Sequence, residues 1–164
     1  MRFWLLDKFE DVAPGERLVA SKQVSYSEEY LQDHFPEFPV LPGVFILEAA
    51  VQASAWLLRI TEDYAHSVIE LKEAKNIKYP GFVKPGSQLR ITTELMKRDD
   101  REASFKVTGA VGDNPSLTGR LVLQRYNLAD SDPDQAEVDA HVVRYMRSIE
   151  SVMRLTGTPS GATG

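Results

Sequence analysis

The stretch that decides the fold opens His34-Phe35-Pro36-Glu37-Phe38-Pro39-Val40-Leu41-Pro42-Gly43. It continues Val44-Phe45-Ile46-Leu47-Glu48-Ala49-Ala50-Val51-Gln52-Ala53-Ser54-Ala55-Trp56-Leu57-Leu58-Arg59-Ile60. Prolines 36, 39 and 42 forbid a regular helix in the first part and impose a stiff, extended path. In the second part apolar residues point in nearly every direction around a helix, so a helix buried on most sides is expected over Val44 to Ile60. Before Arg59 its strongly polar residues are Glu48 and Gln52, four apart and therefore on one face.

Downstream the period changes from helical to two. Leu89, Ile91, Thr93 and Leu95 alternate with polar neighbours, Phe105 and Val107 do the same, and Leu117, Leu121 and Leu123 share one parity. Arg98-Asp99-Asp100-Arg101 and Gly112-Asp113-Asn114-Pro115 read as the turns between these runs. Ile69 to Tyr79 is a further strand. Upstream, Phe3 to Val12 and Leu18 to Val24 flank Pro14-Gly15, an opening hairpin, and Ser27 is placed to cap a short helical turn at Glu28 to Leu31. The sum is an α+β domain, an antiparallel, meander-like sheet wrapped around one long helix.

Asp132-Pro133-Asp134-Gln135 carries the marks of a helix start, with Asp132 as N-cap and Pro133 at the first helical position. Val138, Val142, Tyr145, Ile149 and Val152 recur at helical spacing, so Asp134 to Leu155 is expected to be amphipathic. The expected organisation is a main domain over 1–127, a helical extension over 128–155 and a disordered tail over 156–164.

The 164 residues suffice for one core. A net charge of −5 argues against general nucleic-acid binding. No run of about 18 consecutive apolar residues suggests a membrane span, and the amino-terminal apolar run is too short for a signal peptide. Without cysteine there is no disulfide, thiolate metal site or cysteine nucleophile. His66 and His141 have no further ligand at metal spacing, so no metal site is expected. A cytoplasmic location follows as the default expectation.

A carboxylate inside an apolar helix loses hydration, which favours its protonated form and suits Glu48 to act as a general acid. The alternative is that Glu48 only hydrogen-bonds a neighbour such as Gln52. Histidine is the side chain whose unperturbed pKa lies near neutrality, which suits His34 to a general base, although a lone His beside Phe and Pro also serves for packing. Gly43 opens the helix where backbone N–H groups have no intrahelical acceptor, and a ligand oxygen can approach there. Relief of the turn after Pro42 would explain the same glycine.

The string His34-Phe35-Pro36-x-x-Pro39-Val40-x-Pro42-Gly43-Val44-x-x-x-Glu48-Ala49-x-x-Gln52 resembles the signature of FabZ-type 3-hydroxyacyl-acyl-carrier-protein dehydratases. Weaker similarity runs from about Phe3 to Tyr126, and the helix from Asp134 is an addition to the usual length. The resemblance implies a hot-dog fold. It also implies dehydration of a (3R)-3-hydroxyacyl thioester with His34 as base, Glu48 as acid and the Gly43 N–H on the thioester carbonyl. Phe35, Pro42, Val44 and Gln52 would line or support the acyl tunnel. No cofactor is implied, because the substrate brings its own phosphopantetheine arm. The site-forming unit would be a homodimer, with His34 and Glu48 from different subunits and a trimer of dimers as the larger assembly. An acidic acyl carrier protein would dock on basic residues, for which Lys72, Lys75, Lys78, Lys84 and Arg90 are the candidates. A hot-dog thioesterase and a non-catalytic acyl-binding subunit are the competing functions.

Overall fold

The computed structural model describes residues 3–33 and 37–155. His34 and Phe35 therefore lie outside the described residues, as does the tail 156–164. Six strands, β1 (Lys8–Ala13), β2 (Arg17–Gln23), β3 (Val68–Lys78), β4 (Gln88–Arg98), β5 (Glu102–Val111) and β6 (Asn114–Tyr126), form one antiparallel sheet in the order β1-β2-β4-β5-β6-β3. The short α1 (Tyr30–Asp33) precedes the central helix α2 (Gly43–Thr61), and α3 (Ala136–Leu155) follows two 3-10 turns. A sheet curled around α2 is the hot-dog arrangement.

The expected turns close as their chemistry demands. Asp99 Oδ1 accepts from the Arg101 and Glu102 N–H groups at 2.9 and 2.8 Å, and Gly112 takes a φ of 57° in the tight link from β5 to β6. The sheet is not a simple meander, however. β3 follows α2 in sequence but crosses to the far edge beside β6, where Leu71 pairs with Leu123 and Ala74 with Leu121. Most of β3 is exposed on both faces, so one long strand edge is left open.

On its sheet side α2 is packed as expected. Ala49, Ala50, Ala53, Trp56, Leu57 and Leu58 are buried against Leu18, Leu89, Ile91, Phe105, Val107 and Leu121. Complete burial of Leu57 and Leu58 contributes about 1.5–3 kcal/mol each. Ser54 is buried within this contact, where its hydroxyl meets Ala50 O and Thr93 Oγ1, each at 2.8 Å. By length and a mean hydropathy of 1.4 this helix meets the requirement for crossing a membrane, but the sheet already covers its apolar side. Burial is not all-round, because Val44 and Glu48 are exposed.

Helix α3 packs on its own chain, with a face one residue out of phase with the expected stripe. Val143, Met146, Ile149 and Met153 meet the core, while Val138 and Val152 are exposed. The cause is Asp139, which is drawn inward to accept from Ser67 Oγ and from the Leu128 and Ala129 N–H groups at 3.0 and 2.9 Å. Asp132 does cap the helix entry, accepting from Asp134 N at 3.2 Å. Ser27 does not cap α1; its hydroxyl bonds that of Ser25, and Glu28 closes the turn onto Ser25 N.

Candidate active site

Along the open side of α2, Glu48, Gln52, Ala55 and Arg59 follow one another at helical spacing and face a groove of about 370 Å³. Trp4 from the amino-terminal segment, Ile69 from β3, and Tyr145 and Met146 from α3 complete its walls. Trp4 stacks on Trp56 with ring centroids 6.1 Å apart. Both rings therefore belong to the core and to the groove wall at once.

Gln52 organises the acid end. Its Oε1 accepts from Leu5 N at 3.0 Å, while its Nε2 donates to Phe3 O and to Glu48 Oε1, both at 3.0 Å. The amide is clamped by backbone on one side and holds the carboxylate on the other. Glu48 itself is exposed in the single chain. The expected desolvation of Glu48 is thus absent in this chain, because the helix face that carries it is left uncovered by the described residues.

Five residues before Glu48, the amino terminus of α2 is bare. Pro42 makes no side-chain cap, and no acid lies in the first turn. Pro42 O accepts from Phe45 N at 2.9 Å and Ile46 N at 3.2 Å; the Gly43 and Val44 N–H groups have no acceptor among the described residues. Such a terminus favours a partially negative ligand oxygen. The Tyr79 ring lies over Gly43 so closely that an added Cβ would stand 3.2–3.4 Å from ring carbons. The glycine is explained by this approach as well as by access to its N–H. Sequence reading took Tyr79 as the end of a strand and gave it no place at the site, because alternation does not show what a strand end touches.

Around this terminus lies an exposed apolar mouth. Phe38 and Phe82 meet edge-to-face at 5.4 Å, Val44 is 66% exposed, and Pro42 is buried. Leu41 N bonds Val83 O at 2.8 Å and ties the proline loop to the segment before β4. Lys84 Nζ sits 5.0 Å from the centre of the Phe38 ring. Lys84 is therefore at the mouth, while Lys78 ends β3 next to Tyr79 in the chain. The others are engaged elsewhere: Lys72 with Glu102, Lys75 with Glu73 at 2.9 Å, and Arg90 with Glu10 at 2.8 Å. Arg90 is on β4, separated from β3 by β5 and β6, so it does not join the lysines.

A larger cavity of about 510 Å³ opens beside His66, Arg125 and Tyr126. Two of its lining residues are held by a paired charge, since Glu62 receives Arg125 at 2.7 Å, lies 3.3 Å from His66, and also receives Arg98 at 3.4 Å. His66 is half-buried beside Glu62, and Glu48 is not part of this cavity. No cluster of three or more potential metal ligands occurs among the described residues.

The ApeI-like family model, described as ApeI dehydratase, matches residues 10–119. The chain belongs to this dehydratase family. It is 33% identical over 116 residues to the 3-hydroxyacyl-[acyl-carrier-protein] dehydratase FabZ of Lactiplantibacillus plantarum, covering 71% of this chain and 79% of the relative. The FabZ of Anoxybacillus flavithermus is 37% identical over 125 residues, covering 74% and 82%. Among solved structures, the dehydratase heterocomplex ApeI:P from Xenorhabdus doucetiae is similar with a TM-score of 0.64 at 23% identity, covering 77% of this chain and 85% of that one. A Streptococcus mutans protein bound to acetyl-CoA gives a TM-score of 0.60 at 14% identity, covering 77% and 93%. These two likenesses concern the fold.

Proposed function

We propose that this enzyme dehydrates (3R)-3-hydroxyacyl thioesters carried on acyl carrier protein to trans-2-enoyl thioesters, as a step of acyl-chain biosynthesis in the cytoplasm. The observation that carries the reading is Glu48, held by Gln52 in an apolar groove and about 7.5 Å along α2 from the uncapped Gly43 N–H. The thioester carbonyl oxygen takes the Gly43 N–H, which polarises it and acidifies C2. His34 removes the C2 proton. Glu48 protonates the C3 hydroxyl, which leaves as water while the C2–C3 double bond forms. No cofactor enters this scheme.

A second copy of the chain completes the site. The open edge of β3 offers unpaired backbone groups to another strand, and the exposed Glu48 face of α2 needs a cover that excludes water. A homodimer in which His34 of one copy meets Glu48 of the other supplies both, and the same dimer is the unit from which a trimer of dimers would be built. Lys84, at the mouth, and Lys78, next to Tyr79 in the chain, receive the acidic carrier or its phosphopantetheine phosphate.

The test follows enoyl-thioester absorbance with a (3R)-3-hydroxyacyl carrier substrate, for wild type, His34→Ala and Glu48→Gln. Turnover by wild type and its loss in both variants is expected. Release of free thiol without enoyl product would replace this reading with thioesterase activity. Binding without any conversion would replace it with a non-catalytic acyl-binding role.

A further inference from the structure

The groove that begins at Glu48 ends at a cation. Arg59 lies eleven residues further along the same face of α2, about 16 Å along the axis at 1.5 Å per residue, and lines the same groove. Beyond Gln52 the walls are mainly apolar, with Val51, Ala55, Trp56, Ile69 and Met146. Two of the lining residues, Tyr145 and Met146, come from α3, which lies beyond the segment matched by the family model.

The Arg59 side chain has no carboxylate partner among the described residues, although acids surround it in sequence. Glu62 is taken by Arg125, Arg98 and His66. Asp63 is taken by Arg147 at 2.8 Å. Glu150 of α3 accepts from Tyr64 Oη and from Arg154 at 2.6 Å. Burial lowers the Arg59 pKa from 12.5 to about 10, with Tyr64 opposing, so the side chain remains charged at neutral pH. Arg59 is half-buried, and a partly desolvated cation without a counterion is costly unless an anion arrives. The carboxyl end of α2 favours a cation here, but that field does not explain why Arg59 lines the groove.

We propose that Arg59 and α3 form the distal end of the acyl site, so that the preferred substrates are 3-hydroxyacyl thioesters whose far end bears a carboxylate. This rests on the dehydratase reading above. Glu48 meets the reacting C3 hydroxyl, the apolar walls take the methylenes, and the Arg59 guanidinium pairs with the terminal carboxylate.

The test compares 3-hydroxyacyl-pantetheines of roughly ten to sixteen carbons, lengths that bracket the span from Glu48 to Arg59, with counterparts in which the terminal methyl is a carboxylate, using the full chain, Arg59→Gln and Arg59→Lys. Wild type is expected to prefer the carboxylate-ended substrate in kcat/KM by roughly tenfold or more, the scale of a hydrogen bond to a charged group. Arg59→Gln should collapse that ratio, and Arg59→Lys should keep part of it. A purely structural Arg59 would lower the melting temperature of Arg59→Gln and leave the ratio unchanged, which overturns the proposal. So does equal use of the two kinds of substrate by wild type at every length. Because Trp4 and Trp56, the two tryptophans of the chain, line the groove, their fluorescence reports binding even without turnover. Absence of enoyl product from either kind of substrate would remove the dehydratase reading, and equal quenching by both kinds would remove the distal-end assignment.

Discussion

The Gln52 side-chain amide lies 3.0 Å from Glu48 Oε1 and is itself clamped by the backbone of Phe3 and Leu5. Gln52 thus links the amino-terminal segment to the carboxylate, and in the proposed mechanism it is a positioning residue. Gln52→Ala is expected to lower kcat by roughly 10- to 100-fold, since small misplacement of a reacting group has that cost, with KM much less affected. Steady-state kinetics on a carrier-bound 3-hydroxyacyl substrate measure the split. A change confined to KM would instead make Gln52 a binding residue.

The contact between Gly43 and Tyr79 predicts an epistatic pair. In Gly43→Ala the new Cβ meets the Tyr79 ring at 3.2–3.4 Å, so the ring or the helix start must shift by a few tenths of an ångström. kcat/KM should fall by roughly tenfold as the N–H moves relative to the carbonyl. Adding Tyr79→Ala removes the obstruction and should return part of the loss. If the double variant is as impaired as the single one, the glycine is needed for something other than clearance from the ring.

Ser54 and Thr93 fasten α2 to β4 inside the core, their hydroxyls 2.8 Å apart and both residues fully buried. Ser54→Ala leaves the Thr93 hydroxyl without its acceptor and should destabilise the fold by about 1–3 kcal/mol. Replacing both, with Thr93→Val added, removes the unsatisfied group and should recover much of that loss. Denaturant titration of the four proteins gives the coupling energy directly. Additive effects would mean that the two hydroxyls do not depend on each other.

Much of this architecture was legible in the residues, and the rest was hidden for physical reasons. The run from Val44 to Ile60 is apolar around most of a helix, and it emerges as Gly43–Thr61 packed on the sheet. Alternation finds strands but carries no information on their neighbours, so the crossing of β3 to the far edge could not be read. The phase of α3 was missed because hydrophobic spacing assigns polar residues to solvent, whereas Asp139 is held inside by Ser67, Leu128 and Ala129. Gln52 was visible as the partner of Glu48 through its four-residue spacing. Its anchorage to Phe3 and Leu5 was not, being set by a contact over 47 residues or more.

Asp139 also gives the attachment of α3 a pH dependence. Burial opposes its charge, but the Ser67 hydroxyl and the Ala129 and Leu128 N–H groups outweigh that and hold its carboxyl below the ordinary 3.8. A carboxyl depressed in the folded state contributes stability that is present above its unfolded pKa and is lost as pH falls toward the folded one. Wild type should therefore lose this contribution below about pH 4. Asp139→Asn should melt lower than wild type at pH 7, and the difference should shrink in acid. Thermal melts of both proteins across that range decide it; a difference independent of pH would assign the effect to packing.

The exposed face of Glu48 and the open edge of β3 make the strongest case for a site shared between copies, and complementation can test the sharing. If His34 and Glu48 of one site come from different chains, a mixed dimer of His34→Ala with Glu48→Gln contains one site with both groups intact and one with neither. Random assembly makes half the dimers mixed, and each then has one good site of two. Co-expression of the two inactive variants should therefore restore roughly a quarter of wild-type activity. Differently tagged chains, purified over both tags in turn, isolate the mixed dimer, which should reach about half. A site contained within one chain would give no recovery in either preparation, because every chain present would carry a damaged pair.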